Sequence, residues 1–347
     1  MRVAALLLAL TLTAHAQWDP IDAHTTADLR GVSSPGKGIA WISGTNGTIL
    51  RTEDGGYLWQ HCTIPPNAEH LDFRGIQAFD ANTAIVMSSG PGDLSRLYKT
   101  TDGCQTWTIL FNNPDPEGFW DAFVFNFGGN DGLILGDPVD GEFAGFGTID
   151  GKNWKREVNT GLRAKQDESA FAASNSSIAF DEIDWILFGT GGSTKPGIYQ
   201  QTTYGHYERR EVPITGGNAS SGVFAIRGRS HCCLVAVGGD YLKPSSSGRT
   251  AALSHDGGEH WLPATTQPHG YRSAVAYDAP TKTWITVGPN GTDISTDDGR
   301  NWHFIHPTPG EPADADRNWN ALALPFVVGP HGHVGILNPS ALKPPTK

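Results

Sequence analysis

The sequence predicts an all-β fold built from repeated four-stranded units, and three observations carry that expectation. First, one short pattern, Ser/Thr-x-Asp-x-Gly-x-x-Trp, recurs along the chain. It occurs at Thr52 to Trp59, Thr100 to Trp107, Thr148 to Trp154, Ser254 to Trp261 and Ser295 to Trp302. Second, 43 glycines and 11 tryptophans accompany a charged fraction of only 18%. That balance suits many tight turns between short buried strands. Third, Asp54, Asp102 and Asp150 are evenly spaced, and the longer gap from Asp150 to Asp256 holds two units. A degenerate copy is therefore expected at Tyr199 to Gly205. Dividing the chain after residue 16 by the unit length gives seven units, which predicts a seven-bladed β-propeller with four-stranded blades.

The first 16 residues read as a secretory signal peptide. Arg2 supplies the positive start, Val3 to Leu12 the apolar stretch, and Ala14-His15-Ala16 a small-x-small cleavage site. The apolar stretch is too short for a membrane span. The expected product is a periplasmic or secreted protein beginning at Gln17, with one propeller domain over residues 17–338 and a disordered Pro- and Lys-rich tail over residues 339–347. A monomer is expected.

Each unit then reads the same way: two apolar strands, a third running into the Asp pattern, and a fourth beginning at the Trp. In unit one the strands are expected at Leu29 to Ser33, Ile39 to Ser43, Thr48 to Thr52 and from Trp59. In unit two they are expected at Phe73 to Phe79, Ala84 to Ser88, Leu97 to Thr100 and from Trp107. Later first strands start near Trp120, Ser169, Gly222, Tyr271 and Trp319. The last unit lacks a fourth strand, and Trp18 to Ile21 is expected to supply it. The ring is thus closed by N- and C-terminal strands and no sheet edge stays open.

Taken singly, Asp54, Asp102, Asp150, Asp256 and Asp297 look like catalytic acids. Repeated five times, they read as structural turn residues whose carboxylates accept backbone N–H groups, while the Trp packs between blades. Of the cysteines, Cys62, Cys104, Cys232 and Cys233, at most one of the adjacent pair is expected to face a given partner on a strand. One bridge at most is expected and its pairing stays open.

The formal net charge of −11 argues against nucleic acid as a partner. No phosphate-binding loop, nucleophile elbow or zinc motif is present. His331-Gly332-His333 reads as a turn rather than a metal site, and no metal or cofactor is expected.

The Asp pattern resembles the Asp-box (BNR) repeats of sialidases and other propellers. The chain as a whole resembles secreted bacterial propellers related to the photosystem II assembly and stability factor. The residues that carry this are Trp41 to Ile49 leading into Thr52 to Gly56, Asp72 to Ile76, Gly136-Asp137-Pro138, Glu168 to Ser174, Val237 to Asp240, and Pro268 to Ser273. The resemblance implies a binding and assembly role.

Aligning the first-strand starts places Arg30, Arg74 and Arg272 in one slot, with Asn320 beside them on the closed ring. The same slot holds Asp121 in unit three and Ser169, next to Glu168, in unit four. An arginine-bearing half-ring facing an acidic half-ring is therefore expected at one mouth of the channel. His269, Tyr271 and Asp240 complete the candidate binding residues. Guanidinium forks suit carboxylates, so the expected ligand is a protein partner or an acidic small molecule or glycan. The competing reading is that the arginines pair with neighbouring acids, for example Arg74 with Asp121, and brace the blades. An enzymatic alternative is a carbohydrate-active hydrolase or lyase, with Glu168, Asp121 or Asp137 as candidate catalytic carboxylates. A typical sialidase is disfavoured, because Arg30 is followed by Gly31-Val32 instead of the Ile/Val-Pro of that family.

Overall fold

The computed structural model describes residues 17–181, 185–192, 195–202, 205–306 and 315–342. Its strands form seven antiparallel sheets, one per blade, around a central axis. Blade one runs Leu29–Gly36, Ile39–Gly44, Ile49–Thr52 and Gln60–His61; blade two runs Phe73–Ala78, Ala84–Ser88, Arg96–Thr100 and Thr108–Asn112. The second strands are buried on both faces because neighbouring blades cover them. Their sequences are accordingly continuous apolar runs and lack alternation.

Trp18–Asp22 pairs antiparallel with His333–Leu337, so blade seven is completed by the chain's first strand. Trp18 anchors this closure. It is buried against Trp319 at 6.1 Å and donates its ring N–H to Thr292 at 2.9 Å in the neighbouring blade. The closing strand therefore ties blades six and seven to the start of the chain.

The five Asp boxes are turn braces. In the first, the Thr52 hydroxyl donates to Asp54, and Asp54 accepts the Leu58 N–H at 3.0 Å. In the fourth, Ser254 donates to Asp256, which accepts the His260 N–H at 3.0 Å. The bonds favour the ionised form. The Thr106 hydroxyl and N–H hold Asp102 at about 2, and the His260 N–H holds Asp256 at about 2. Each Trp lies between blades: Trp59 joins the core shared by blades seven and one, and Trp107 that shared by blades one and two. Cys104 occupies the glycine position of the second box with a positive φ, and bridges to Cys62 of the preceding blade.

Three expectations are corrected in detail. The first strand of blade four is Ile178–Phe180, not one starting at Ser169. Glu168–Ser169 is a two-residue strand paired through Gly191–Gly192 to the sheet of blade five. Pro339–Leu342, the start of the expected disordered tail, forms a short 3-10 helix that buries Leu342. Cys232 lies in a turn before the strand Cys233–Asp240, so strand alternation does not separate the pair, and the two sulfurs lie 2.7 Å apart. A turn joins Gly197–Gln201 to Tyr207–Glu211 where the degenerate copy is expected; Thr203 and Tyr204 of that copy lie outside the described residues, as do the signal peptide and residues 343–347.

Candidate functional site

The first strands of all blades run side by side along the axis. Their starting ends, together with the loops between second and third strands, form one mouth of the channel, and the Asp boxes lie at the other. A cavity of about 450 Å³ opens at the first mouth. Arg30 and Arg74 line it from blades one and two, and Ser273, Trp319 and Asn320 from blades six and seven. Phe171, Phe224, Tyr241 and Tyr271 form the facing wall.

The two arginines are held by acids two residues before them. Arg74 Nε donates to Asp72 at 2.7 Å, and its Nη1 donates to the Ala172 carbonyl at 2.9 Å. Arg30 lies 4.0 Å from Asp28. Neither pair is closed off: the side chains are 29% and 30% exposed at Arg30 and Arg74. The buried Arg30 Nε has no hydrogen-bond partner among the described residues. Arg74 thus pairs with Asp72, not with Asp121. Asn320 donates to the Leu29 carbonyl at 2.8 Å, which joins blade seven to blade one beneath Arg30.

The wall opposite is aromatic where an acidic half-ring was expected. Phe171 stacks on Phe224 at 4.0 Å, and Tyr271 meets Phe224 edge-on at 4.8 Å. Tyr241 joins them at 6.0 Å from Phe224 and remains 47% exposed, with Leu242 beside it at 70%. Sequence reasoning missed Phe171, Phe224, Tyr241 and Trp319. The signal available was the long loop from Tyr241 to Arg249, which interrupts the repeat at this mouth.

The candidate carboxylates are withdrawn from the cavity. Glu168 is 4% exposed and bonds the Thr190 hydroxyl, Arg209 Nε at 2.9 Å, the Tyr199 hydroxyl at 3.1 Å and the Lys165 N–H at 2.9 Å. Its oxygens are fully engaged. Asp121 is 2% exposed; burial and the neighbouring Asp137 charge push its carboxyl well up. Asp137 is pushed up to about 6 by burial, against one bond from the Ala170 N–H at 3.1 Å. Asp240 is 4% exposed and accepts the Ser220 hydroxyl and the Leu242 N–H, bracing the base of the Tyr241 loop.

Arg272 is the clearest correction. It is fully buried: Nε donates to Asp293 at 2.9 Å, and Nη1 to the Tyr271 carbonyl at 3.0 Å and to Asn290. Asp293 also accepts from Arg272 Nη2 and lies 2.8 Å from Nδ1 of His269. His269 in turn packs on Phe304 at 4.7 Å. Both residues brace blade six. The cause is a register offset of one. The glycines ending the second strands, Gly44, Gly288 and Gly329, approach the backbone at Asp28-Leu29, Tyr271-Arg272 and Asn318 respectively. Arg272 therefore matches Leu29, a core position, and Ser273 matches Arg30. A one-residue slip exchanges the two faces of a strand.

Among the described residues, no helix is long and apolar enough to cross a membrane. His331 and Gly332 both take positive φ in a turn, where the Gly332 N–H donates to the Ala27 carbonyl at 2.8 Å.

No protein-family model matches the chain, and no curated protein matches it in sequence. Solved structures match it in fold. One, described as YCF48 bound to D1 peptide, is 15% identical with a TM-score of 0.65, over 94% of this chain and 98% of that one. Another, YCF48 from Cyanidioschyzon merolae, is 15% identical with a TM-score of 0.64, over 94% and 100%. The WD40 β-propeller domain of Doa1 is 10% identical with a TM-score of 0.61, over 94% and 98%. At these identities the likeness establishes the propeller fold.

Proposed function

We propose that this chain is a non-enzymatic propeller of binding or assembly type, exported to the periplasm or beyond. It holds a protein segment or other acidic ligand at the Arg30/Arg74 mouth. The observation that carries the reading is the composition of the 450 Å³ cavity: two partly exposed guanidinium groups on one side and an aromatic wall on the other. A carboxylate can bridge the arginines through charge-assisted bonds. An adjoining apolar or aromatic side chain can then pack against Phe224, Tyr241 and Tyr271. A polypeptide segment offers both groups in one ligand. The structural neighbour described as bound to a D1 peptide supports the choice of a peptide over a free metabolite.

The hydrolase or lyase alternative finds less support. Acid/base catalysis needs carboxylates within reach of substrate, whereas Glu168 is saturated by its own partners and Asp121 is walled off.

The test is a thermal-shift screen of acidic peptides and glycans, followed by calorimetry on the hits. A ligand that binds the native protein should lose roughly tenfold or more in affinity to an Arg30→Ala/Arg74→Ala variant. Tyr241→Ala should weaken peptides bearing apolar side chains most. Unchanged binding by the double arginine variant overturns the assignment. Turnover of a glycan by the native protein overturns the non-enzymatic reading.

A further inference from the structure

The channel has a second polar space at its Asp-box end. This cavity of about 320 Å³ is lined by first-strand residues of six blades, including Ser33, Gln77, Phe125, Ile178, Arg227 and Leu322. Arg227 lies on Asn218–Ser230, three residues beyond Phe224 of the other mouth. At roughly 3.3 Å per residue, that sets it about 10 Å further along the axis.

Arg227 differs from the other buried or half-buried arginines of this fold. Arg51, Arg156, Arg209, Arg229 and Arg272 each pair with a carboxylate. Arg227 Nη1 donates only to the carbonyls of Ile226 at 2.9 Å and Ile178 at 3.2 Å, and no carboxylate pairs with it among the described residues. Among the described residues it is also the only charged side chain lining this cavity. Burial alone pulls on its protonation, downward, with no acid opposing the pull. Arg227 is half-buried, and a partly desolvated cation without a counter-charge is costly, because the hydration it loses is not replaced.

Two other side chains lining the cavity can donate. Ser33 Oγ accepts the Ala78 N–H at 3.0 Å, which leaves its proton to donate. Asn175 Oδ1 accepts the Phe123 N–H at 2.9 Å, and its Nδ2 amide group makes no hydrogen bond among the described residues. Both residues line the cavity with Arg227. Among the described lining residues, one guanidinium, one hydroxyl and one amide NH₂ can donate into the cavity and no carboxylate competes.

We propose that Arg227 anchors a small-oxyanion site at the Asp-box end of the channel, taking phosphate, sulfate or a small carboxylate. The site is distinct from the Arg30/Arg74 mouth, and its occupant supplies the counter-charge that no described carboxylate provides.

The test titrates phosphate, sulfate and acetate separately, in the millimolar range at constant ionic strength, and follows thermal stability and binding heat. The native protein should show saturable stabilisation by at least one of the three, and which one responds distinguishes an inorganic oxyanion from a carboxylate. The Arg30→Ala/Arg74→Ala variant should keep that response. Arg227→Gln should weaken it roughly tenfold or more, and Arg227→Lys, which keeps the charge but loses the fork, should fall between. In anion-poor buffer Arg227→Gln should be at least as stable as the native protein. Absence of a saturable response in the native protein, an equal response in Arg227→Gln, or loss of the response in the Arg30/Arg74 variant overturns the proposal.

Discussion

Replacing Asp137 with Asn should stabilise this protein at neutral pH, although the change removes a charge from a half-buried carboxyl. The Asp137 N–H donates to the Phe119 carbonyl at 2.9 Å, and its Oδ1 accepts one bond, from the Ala170 N–H at 3.1 Å. Burial raises its pKa from an ordinary 3.8 to about 6. Because the folded value lies above the unfolded one, Asp137 favours the fold fully below pH 3.8. That contribution disappears as pH rises through about 6. The difference of two units corresponds to about 3 kcal/mol at pH 7.5, as an upper figure. Asn keeps the acceptor for Ala170 and has no charge to desolvate. It also relieves Asp121, whose carboxyl is pushed up partly by its neighbour. Equilibrium denaturant unfolding at pH 4, 6 and 7.5 should show Asp137→Asn more stable than the native protein by about 1–3 kcal/mol at pH 7.5. The two should converge at pH 4. A variant destabilised at pH 7.5, or one whose stability follows pH as the native protein does between 4 and 7, refutes the assignment of burial as the cause.

Three further outcomes follow from particular contacts. Cys62 and Cys104 are 42 residues apart. Replacing both with Ser should therefore cost about 4 kcal/mol through chain entropy, read as a fall in denaturation midpoint that reductant reproduces in the native protein; a loss below about 1 kcal/mol removes the bridge from the stabilising contacts. Arg272→Ala should destabilise by about 3–5 kcal/mol, because Asp293 stays buried without its cation, and an undiminished melting temperature would show that Arg272 is no brace. Cys232 is exposed and its bonds from Cys233 and Ser230 hold the thiol below its ordinary value, whereas Cys233 is buried and pushed up. Limited alkylation followed by peptide mapping should find Cys232 modified first, and preferential labelling of Cys233 contradicts the geometry.

What was legible in the sequence was whatever repeats. The Asp boxes, the blade count and the closing strand at Trp18 each follow from periodicity, and periodicity survives local drift such as Cys104 in place of a glycine. Arg30 and Arg74 were legible for the same reason, since the same Arg-Gly step follows Leu29 and Phe73. Arg272 was not, because Tyr271-Arg272-Ser273 mimics that pattern one residue out of register, and the glycine approach that fixes register is a contact between strands. Glu168 failed for a related reason: it sits where Leu29 does, with Gly192 against its backbone, so Ser169 holds the outer position. The aromatic wall draws on the first strand of blade five at Phe224, the segment leading into the first strand of blade six at Tyr271, the inter-strand loop at Tyr241 and the crossing segment at Phe171, none of which shares a repeat position with the others. Arg227 was hidden differently. Nothing in a sequence marks an arginine as lacking an acid, because its missing partner is a statement about every other blade. Both channel sites therefore rest on the same physical contrast. Where an arginine is fully buried against a carboxylate, as Arg272 is against Asp293, it is structural; where the paired guanidinium stays partly exposed, as at Arg74, or the pairing is loose, as at Arg30, or no described carboxylate pairs with it, as at Arg227, the cation remains available to a ligand.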